Sequence, residues 1–187
     1  MKDQILQIAI RQMMSGGYDN LNFANIADEL NTTRANLHHH FKNKEGLGVA
    51  ATELYIQEQT ITFDEIIKTH DGDIFSLLAA VENYLIEFLL GGNSFTACIC
   101  SQLMYECKAP DKLRQLARNR FNAELNDFKD QVGKAIKNGV LSSSTDIGKL
   151  AFQIAATYIG IGQLALVETD KEKLVSNIKG SLVSLVE

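Results

Sequence analysis

The residues whose types and spacing could do chemistry are concentrated between Asn31 and Lys44. Arg34, Ala35, Asn36, His38, His39, His40, Lys42 and Lys44 follow one another there with no acidic residue among them. A guanidinium at Arg34 can pair with a guanine edge and a carboxamide at Asn36 with an adenine edge. Thr33, Lys42 and Lys44 flank that pair and suit contacts to phosphate, which position a protein on a duplex without reading its sequence. The bland alternative is a solvated helix face. The three consecutive histidines invite a metal reading, but successive helix residues point about 100° apart and cannot converge on one ion. Neither metal nor cofactor is expected.

A second cluster is Cys98, Cys100 and Cys107, an odd count in one short stretch and unlike a disulfide framework. Cys100 and Cys107 are seven apart and would share a helix face, with Cys98 on another. Two readings stay open: inert thiols packed as small hydrophobes, or reactive thiols, for which the adjacent Lys108 is the base at hand. The chain contains no nucleophile–base arrangement, no His-Glu-x-x-His and no Gly-rich phosphate loop. An enzyme is not expected.

The elements that must position these residues are helices. Asp3 to about Ser15 places Ile5, Ile8, Ala9 and Met13 on one stripe, and Gly16-Gly17 ends it. Phe23 to Leu30 repeats the pattern with Phe23, Ile26, Ala27 and Leu30, and Asn22 is placed to cap it. Asn31 tolerates the left-handed backbone of a tight turn. Thr33 to Phe41 forms a third short helix whose buried side is Leu37 and Phe41. Three short helices with a tight turn between the second and third describe a helix-turn-helix domain. Longer helices are expected at Lys44–Lys68, Asp73–Leu90, Thr96–Cys107, Pro110–Lys137, Thr145–Val167 and Lys171–Val186. With one proline, Pro110, and no sustained strand alternation, the expectation is an all-α chain.

The net charge of −5 argues against non-specific coating of nucleic acid or membrane. The charge is partitioned, however. From Met1 to Lys44 the bases slightly outnumber the acids, and the remainder carries the deficit. The most apolar run, Ile154 to Val167, is shorter than the roughly 20 residues of a membrane span, and an early Asp3 with no apolar block argues against a targeting segment. A cytoplasmic protein is expected. Among the bulky residues of the middle helices, Phe63, Phe88, Cys98, Met104, Tyr105, Phe121 and Tyr158 are candidate linings of an apolar ligand cavity. The small residues Gly148, Ala151, Ala155, Ala156, Gly160 and Gly162 allow close helix approach. Beside them Leu150, Ile154, Ile161, Leu174, Ile178 and Leu182 are candidates for a four-helix homodimer seam; tight packing inside one subunit is the alternative.

One string of residues carries a resemblance: Gly17-Tyr18, Ile26-Ala27, Leu37-His38-His39-His40-Phe41, Lys44-Glu45 and Leu47. At these intervals the chain resembles the TetR family of bacterial repressors, whose members show Gly-Phe/Tyr, Ile-Ala, Leu-Tyr-x-His-Phe and Lys-Glu-x-Leu. The stretch Thr96-Ala97-Cys98 to Glu106, with Pro110, Leu113 and Phe121, is similar to the sensor half of some subgroups. The resemblance implies a DNA-binding domain over residues 1–47 and a ligand-binding and dimerisation domain over 48–187. It implies a homodimer on a palindromic operator of double-stranded DNA, with the third helix in the major groove and His40 and Lys44 near the backbone; Asn22 is counted with Thr33 among the DNA-binding candidates. It further implies dimerisation through the last two helices and release of the operator when an apolar small molecule binds. Because some relatives use a cysteine near this region, a repressor sensing oxidants or electrophiles through Cys98, Cys100 or Cys107 is the second reading. Two departures stand out: His38 replaces the usual tyrosine, and the turn reads Asn31-Thr32-Thr33.

Overall fold

The computed structural model describes residues 1–91 and 98–187. The described residues form helices and turns, with no strand among them. In chain order the helices are α1 (Lys2–Gly16), α2 (Phe23–Glu29), α3 (Arg34–Phe41), α4 (Lys44–Thr69), α5 (Ile74–Leu90), α6 (Ile99–Tyr105), α7 (Asp111–Lys137), α8 (Ile147–Leu164) and α9 (Lys171–Ile178), followed by a 3-10 turn at Val183–Leu185. The all-α expectation is met. The expected helix start at Thr96 lies outside the described residues.

Short polar side chains set most of the boundaries. Asn22, Thr33, Asp73, Asp146 and Asp170 each accept a hydrogen bond from a free amide in the first turn of the helix that follows. Asn31 takes the left-handed backbone expected of it, with φ of 50°, between α2 and α3.

The chain divides into two compact units, Met1–Thr60 with Ala97–Arg120 and Ile61–Thr96 with Phe121–Glu187, and the divisions fall inside α4 and α7. The first unit gathers α1, α2, α3, α6 and parts of α4 and α7 around Ile5, Met13, Ile26, Leu37, Leu47, Ile99, Leu103 and Leu113, all buried. The second is built on Phe63, Leu77, Leu78, Val81, Phe128, Val132, Ala151, Ile154 and Leu182. A smaller cluster of Leu89, Ala165, Leu174 and Ile178 joins α5, α8 and α9.

Three expectations need correction. The last helix stops at Ile178 instead of Val186, because Lys179 is extended and Gly180 turns left-handed at φ 82°. The buried carboxylate of Glu82 then holds the segment beyond, accepting from the amides of Gly180 (2.8 Å), Leu182 (2.7 Å) and Val183 (3.2 Å). Second, α6 ends at Tyr105, so Cys107 lies beyond the helix and shares no helix face with Cys100. Third, Leu150, Ile154, Leu174, Ile178 and Leu182, expected at a dimer seam, are buried inside the single chain, and Ile161 packs partly buried against the same cores. Their side chains already belong to cores of their own subunit. On α8 and the turn after it, the apolar groups left in solvent are Ile147, Phe152, Leu164, Leu166 and Val167, of which Phe152 is 64% and Val167 78% exposed.

Candidate nucleic-acid interface

The first unit presents α3 by burying one side of it. Leu37 is fully buried and Phe41 nearly so, while Arg34, Ala35, His38, His39 and His40 are exposed. Thr33 caps the helix, its hydroxyl accepting from the Asn36 amide at 3.2 Å. Asn22 caps α2, accepting from Ala24 at 2.8 Å and Asn25 at 3.4 Å. Both caps are themselves exposed. Such exposed caps lie where backbone N–H groups collect, and amides of that kind suit phosphate oxygens.

Asn36 is placed differently from its neighbours. It is half-buried, and its side-chain amide donates to the Thr32 hydroxyl at 3.1 Å. One of its two donors therefore braces the turn between α2 and α3, a contact that the sequence did not reveal.

His38, where relatives carry tyrosine, is held by two contacts. Its ring stacks on Phe23 of α2 with centroids 4.7 Å apart and planes 16° from parallel. Its Nδ1 lies 2.8 Å from the Lys42 carbonyl. A carbonyl only accepts, so Nδ1 carries the proton, and in the neutral ring Nε2 is the acceptor. His39 and His40 sit edge to face at 5.7 Å. Among the described residues no group of three His, Cys, Asp or Glu side chains is gathered as for a metal ion.

Lys44 opens α4 and turns back to the α1–α2 corner. Its Nζ donates to the Asp19 carbonyl at 3.0 Å and sits 4.8 Å above the Tyr18 ring. An ammonium has three donors, so two remain for phosphate. Burial first, and then the carboxylates of Glu45, Glu106 and Asp19, push the Tyr18 phenol above its ordinary range, so it stays protonated. Asp19 also pairs with Lys108 at 3.3 Å.

The other candidates are dispersed. Phe63 and Tyr158 meet, with ring centroids 6.2 Å apart and Phe128 against both, in the core of the second unit. Phe88 and Phe121 are half-buried in that unit. Cys98, Met104 and Tyr105 belong to the first unit, where Met104 and Tyr105 are exposed. A cleft of about 320 Å³ in the second unit is lined instead by Ile161, Leu164, Val167, Glu168, Leu174, Asn177 and Ile178. Of these the sequence singles out Ile161, Leu174 and Ile178, for another role.

Residues 5–51, which hold this whole capped and half-buried arrangement, match the family model described as bacterial regulatory proteins, tetR family. This part of the chain is a TetR-family N-terminal domain. The TetR fold extends over its whole length. A TetR-family transcriptional regulator from Agrobacterium tumefaciens superposes with a TM-score of 0.88 at 23% identity, covering 99% of this chain and 96% of that one. The TetR-family regulator CifR, a cysteine mutant complexed with 26-base-pair operator DNA, gives 0.81 at 18% identity, with coverages of 97% and 95%. FadR from Bacillus subtilis, in complex with stearoyl-CoA, gives 0.79 at 19% identity, with coverages of 100% and 98%. No curated protein sequence matches the chain. The domain at residues 5–51 is that of DNA-binding transcriptional regulators of the TetR family, which are non-enzymatic. No helix among the described residues is long and apolar enough to cross a membrane.

Proposed function

We propose that the protein is a cytoplasmic repressor that binds a palindromic operator as a homodimer and leaves it when an apolar small molecule binds. The observation that carries this reading is the outer edge of α3. Arg34, Ala35, His38, His39 and His40 are exposed there over the buried Leu37 and Phe41, in a stretch without a carboxylate. In this reading residues 1–47 are the DNA-reading head and 48–187 the ligand-binding and dimerisation domain. Thr33, Asn22, His40 and two Lys44 donors meet phosphate, and Arg34 reads a base.

The dimer seam is drawn from the exposed apolar side of α8 and the turn after it, with Phe152, Leu164 and Val167 as anchors. A Cβ at Gly160 or Gly162 would meet nothing within 4 Å in the single subunit, which leaves room for a partner helix. For the effector, Phe88 and Phe121 are the half-buried aromatic candidates of the second unit. The apolar class is supported by the stearoyl-CoA held by the FadR relative.

Selection of binding sites from random duplex DNA at two salt concentrations tests the proposal. The expected result is one palindrome, bound by two chains, with affinity falling steeply as salt rises because phosphate contacts release counterions. Failure to enrich any sequence at low salt would remove it.

A thiol-sensing repressor is the second reading, and one site favours it. Cys98 is half-buried next to the buried Cys100 and Tyr55. The hydrogen bond with the Cys100 thiol is the largest influence on its pKa and lowers it; burial opposes this, and the Tyr55 hydroxyl and the amides of Ser101 and Cys100 lower it further, to about 6. The sign is that of a group favouring its charged form, the form that reacts with oxidants and electrophiles. Its alkylation by iodoacetamide should reach half its plateau rate near pH 6, against about 8.5 for a thiol in the unfolded chain. A midpoint near the unfolded value, or peroxide treatment that leaves operator binding intact, would dismiss the reading.

A further inference from the structure

The corner that joins α1 to α2 is gripped by α6. Glu106, which ends α6, accepts from the Tyr18 amide through Oε2 at 2.7 Å and from the Asp19 amide through Oε1 at 2.6 Å. One turn earlier, Gln102 donates through Nε2 to the carbonyls of Met13 at 3.1 Å and Met14 at 2.8 Å. The Met14 carbonyl is among the acceptors that the end of α1 leaves over, whereas the Met13 carbonyl also accepts the Gly17 amide. Both side chains are half-buried, so these charge-assisted and amide bonds are only partly screened by water.

Gly17 makes the grip possible. Its φ is +70°, and a Cβ there would come within 2.7 Å of the Glu106 carboxylate. The residue that Glu106 holds is also the one that holds Lys44: Asp19 donates its N–H to Glu106 and accepts the Lys44 ammonium on its carbonyl. A continuous chain of polar contacts thus runs from α6 through the corner to the first residue of α4.

We infer that Glu106 and Gln102 are positioning residues for operator binding. They fix the corner from which α2, α3 and Lys44 are set, so that the two heads of a dimer meet their half-sites at one spacing. The inference rests on the proposed dimer on a palindrome. A role confined to stability would leave spacing untouched, and the experiment separates the two.

Wild-type protein, Glu106→Gln, Glu106→Ala and the pair Gln102→Ala/Glu106→Ala are compared as full chains for helical content, for exchange of the Tyr18 and Asp19 amide hydrogens, and in selections on duplexes with variable spacers between half-sites. The expected result is that wild type keeps one spacer. The alanine variants accept several, exchange the two amides faster, and bind the palindrome about tenfold more weakly, the cost of lost preorganisation. Random DNA should be bound within about twofold of wild type, since its contacts are to phosphate alone. Glu106→Gln keeps one of the two accepting oxygens and should fall between; it carries the test if the alanine variants do not fold. An unchanged spacer choice in folded variants overturns the inference. If wild type itself selects no palindrome, the dimer proposal fails, and amide exchange that does not respond to Glu106 replacement overturns the grip separately.

Discussion

Glu106 and Glu82 perform the same local act in the two units and serve different ends. Each carboxylate reaches across a long stretch of sequence to collect backbone amides that no helix satisfies. Glu82 is buried and takes three, from Gly180, Leu182 and Val183. Glu106 is half-buried and takes two, from Tyr18 and Asp19. The deep one fastens the chain's last turn onto a finished core, next to fully buried Leu182. The shallower one holds a glycine corner leading to α2 and α3. A carboxylate away from water is a fixture, because nothing else can satisfy the amides it leaves. One near water is a joint, because solvent can replace it at moderate cost.

The largest expected effect follows from that contrast. Glu82→Ala leaves three amides without their acceptor, one of them on buried Leu182, and should cost about 1.5–3 kcal/mol of unfolding free energy, the range for a hydrogen bond to a charged group. Denaturant titration would read it. The protein that remains folded should bind operator with unchanged spacing. The comparison breaks if Glu82→Ala alters spacing, or if a Glu106 variant loses as much stability as this one.

Arg34→Ala comes next. Arg34 is exposed on the outer edge of α3 and braces nothing in the head, so its loss should leave stability alone. It should cost roughly 1–3 kcal/mol on the operator and relax one base position. Asn36→Ala should behave otherwise, because its amide braces Thr32. Its loss should weaken operator binding without selecting a new base. A relaxed base position in Asn36→Ala, found by competition among single-base operator variants, would restore Asn36 as a reader.

These residues also show how much the sequence disclosed. The order of the short helices, the caps at Asn22 and Thr33, the left-handed Asn31 and the inward Leu37 and Phe41 were all legible, because each depends on neighbours within a turn or two. Both carboxylate grips were illegible. Glu106 is 88 residues from Tyr18, and Glu82 is 100 residues from Leu182. Nothing local in either glutamate distinguishes it from a surface acid. Gly17 was the one available signal. It read as a helix stop, whereas the space it leaves admits the Glu106 carboxylate. The end of the last helix is hidden for the same reason: Leu182 and Leu185 keep helical spacing past Gly180, and the distant Glu82 is what receives the amides freed when the helix stops. The dimer candidates differ in kind. Periodicity finds the apolar side of α8, but that side faces its own core, and the side proposed to meet a partner carries the exposed Phe152, Leu164 and Val167.

Replacing Phe152 by Asp sharpens the contrast from the side of the second unit. Phe152 is exposed in the single chain, so the substitution should leave the fold intact and shift the protein toward monomer in sedimentation. Operator binding should then weaken, while half-site binding persists. Intact dimers would move the seam elsewhere on the molecule.

Lys44→Ala is the smallest change and the one that decides how far the Glu106 chain extends. The Lys44 ammonium ends that chain on the Asp19 carbonyl and keeps two donors. If those donors meet phosphate, Lys44→Ala should weaken binding to operator and random DNA alike. It should also reduce the slope of log affinity against log salt by about one. If instead Lys44 serves only to complete the corner, the slope should stay as it is, and the variant should accept the same widened set of spacers as Glu106→Ala. The first outcome makes the corner a hinge that carries its own phosphate contact. The second makes Lys44 part of the joint and leaves the backbone contacts to Thr33, Asn22 and His40.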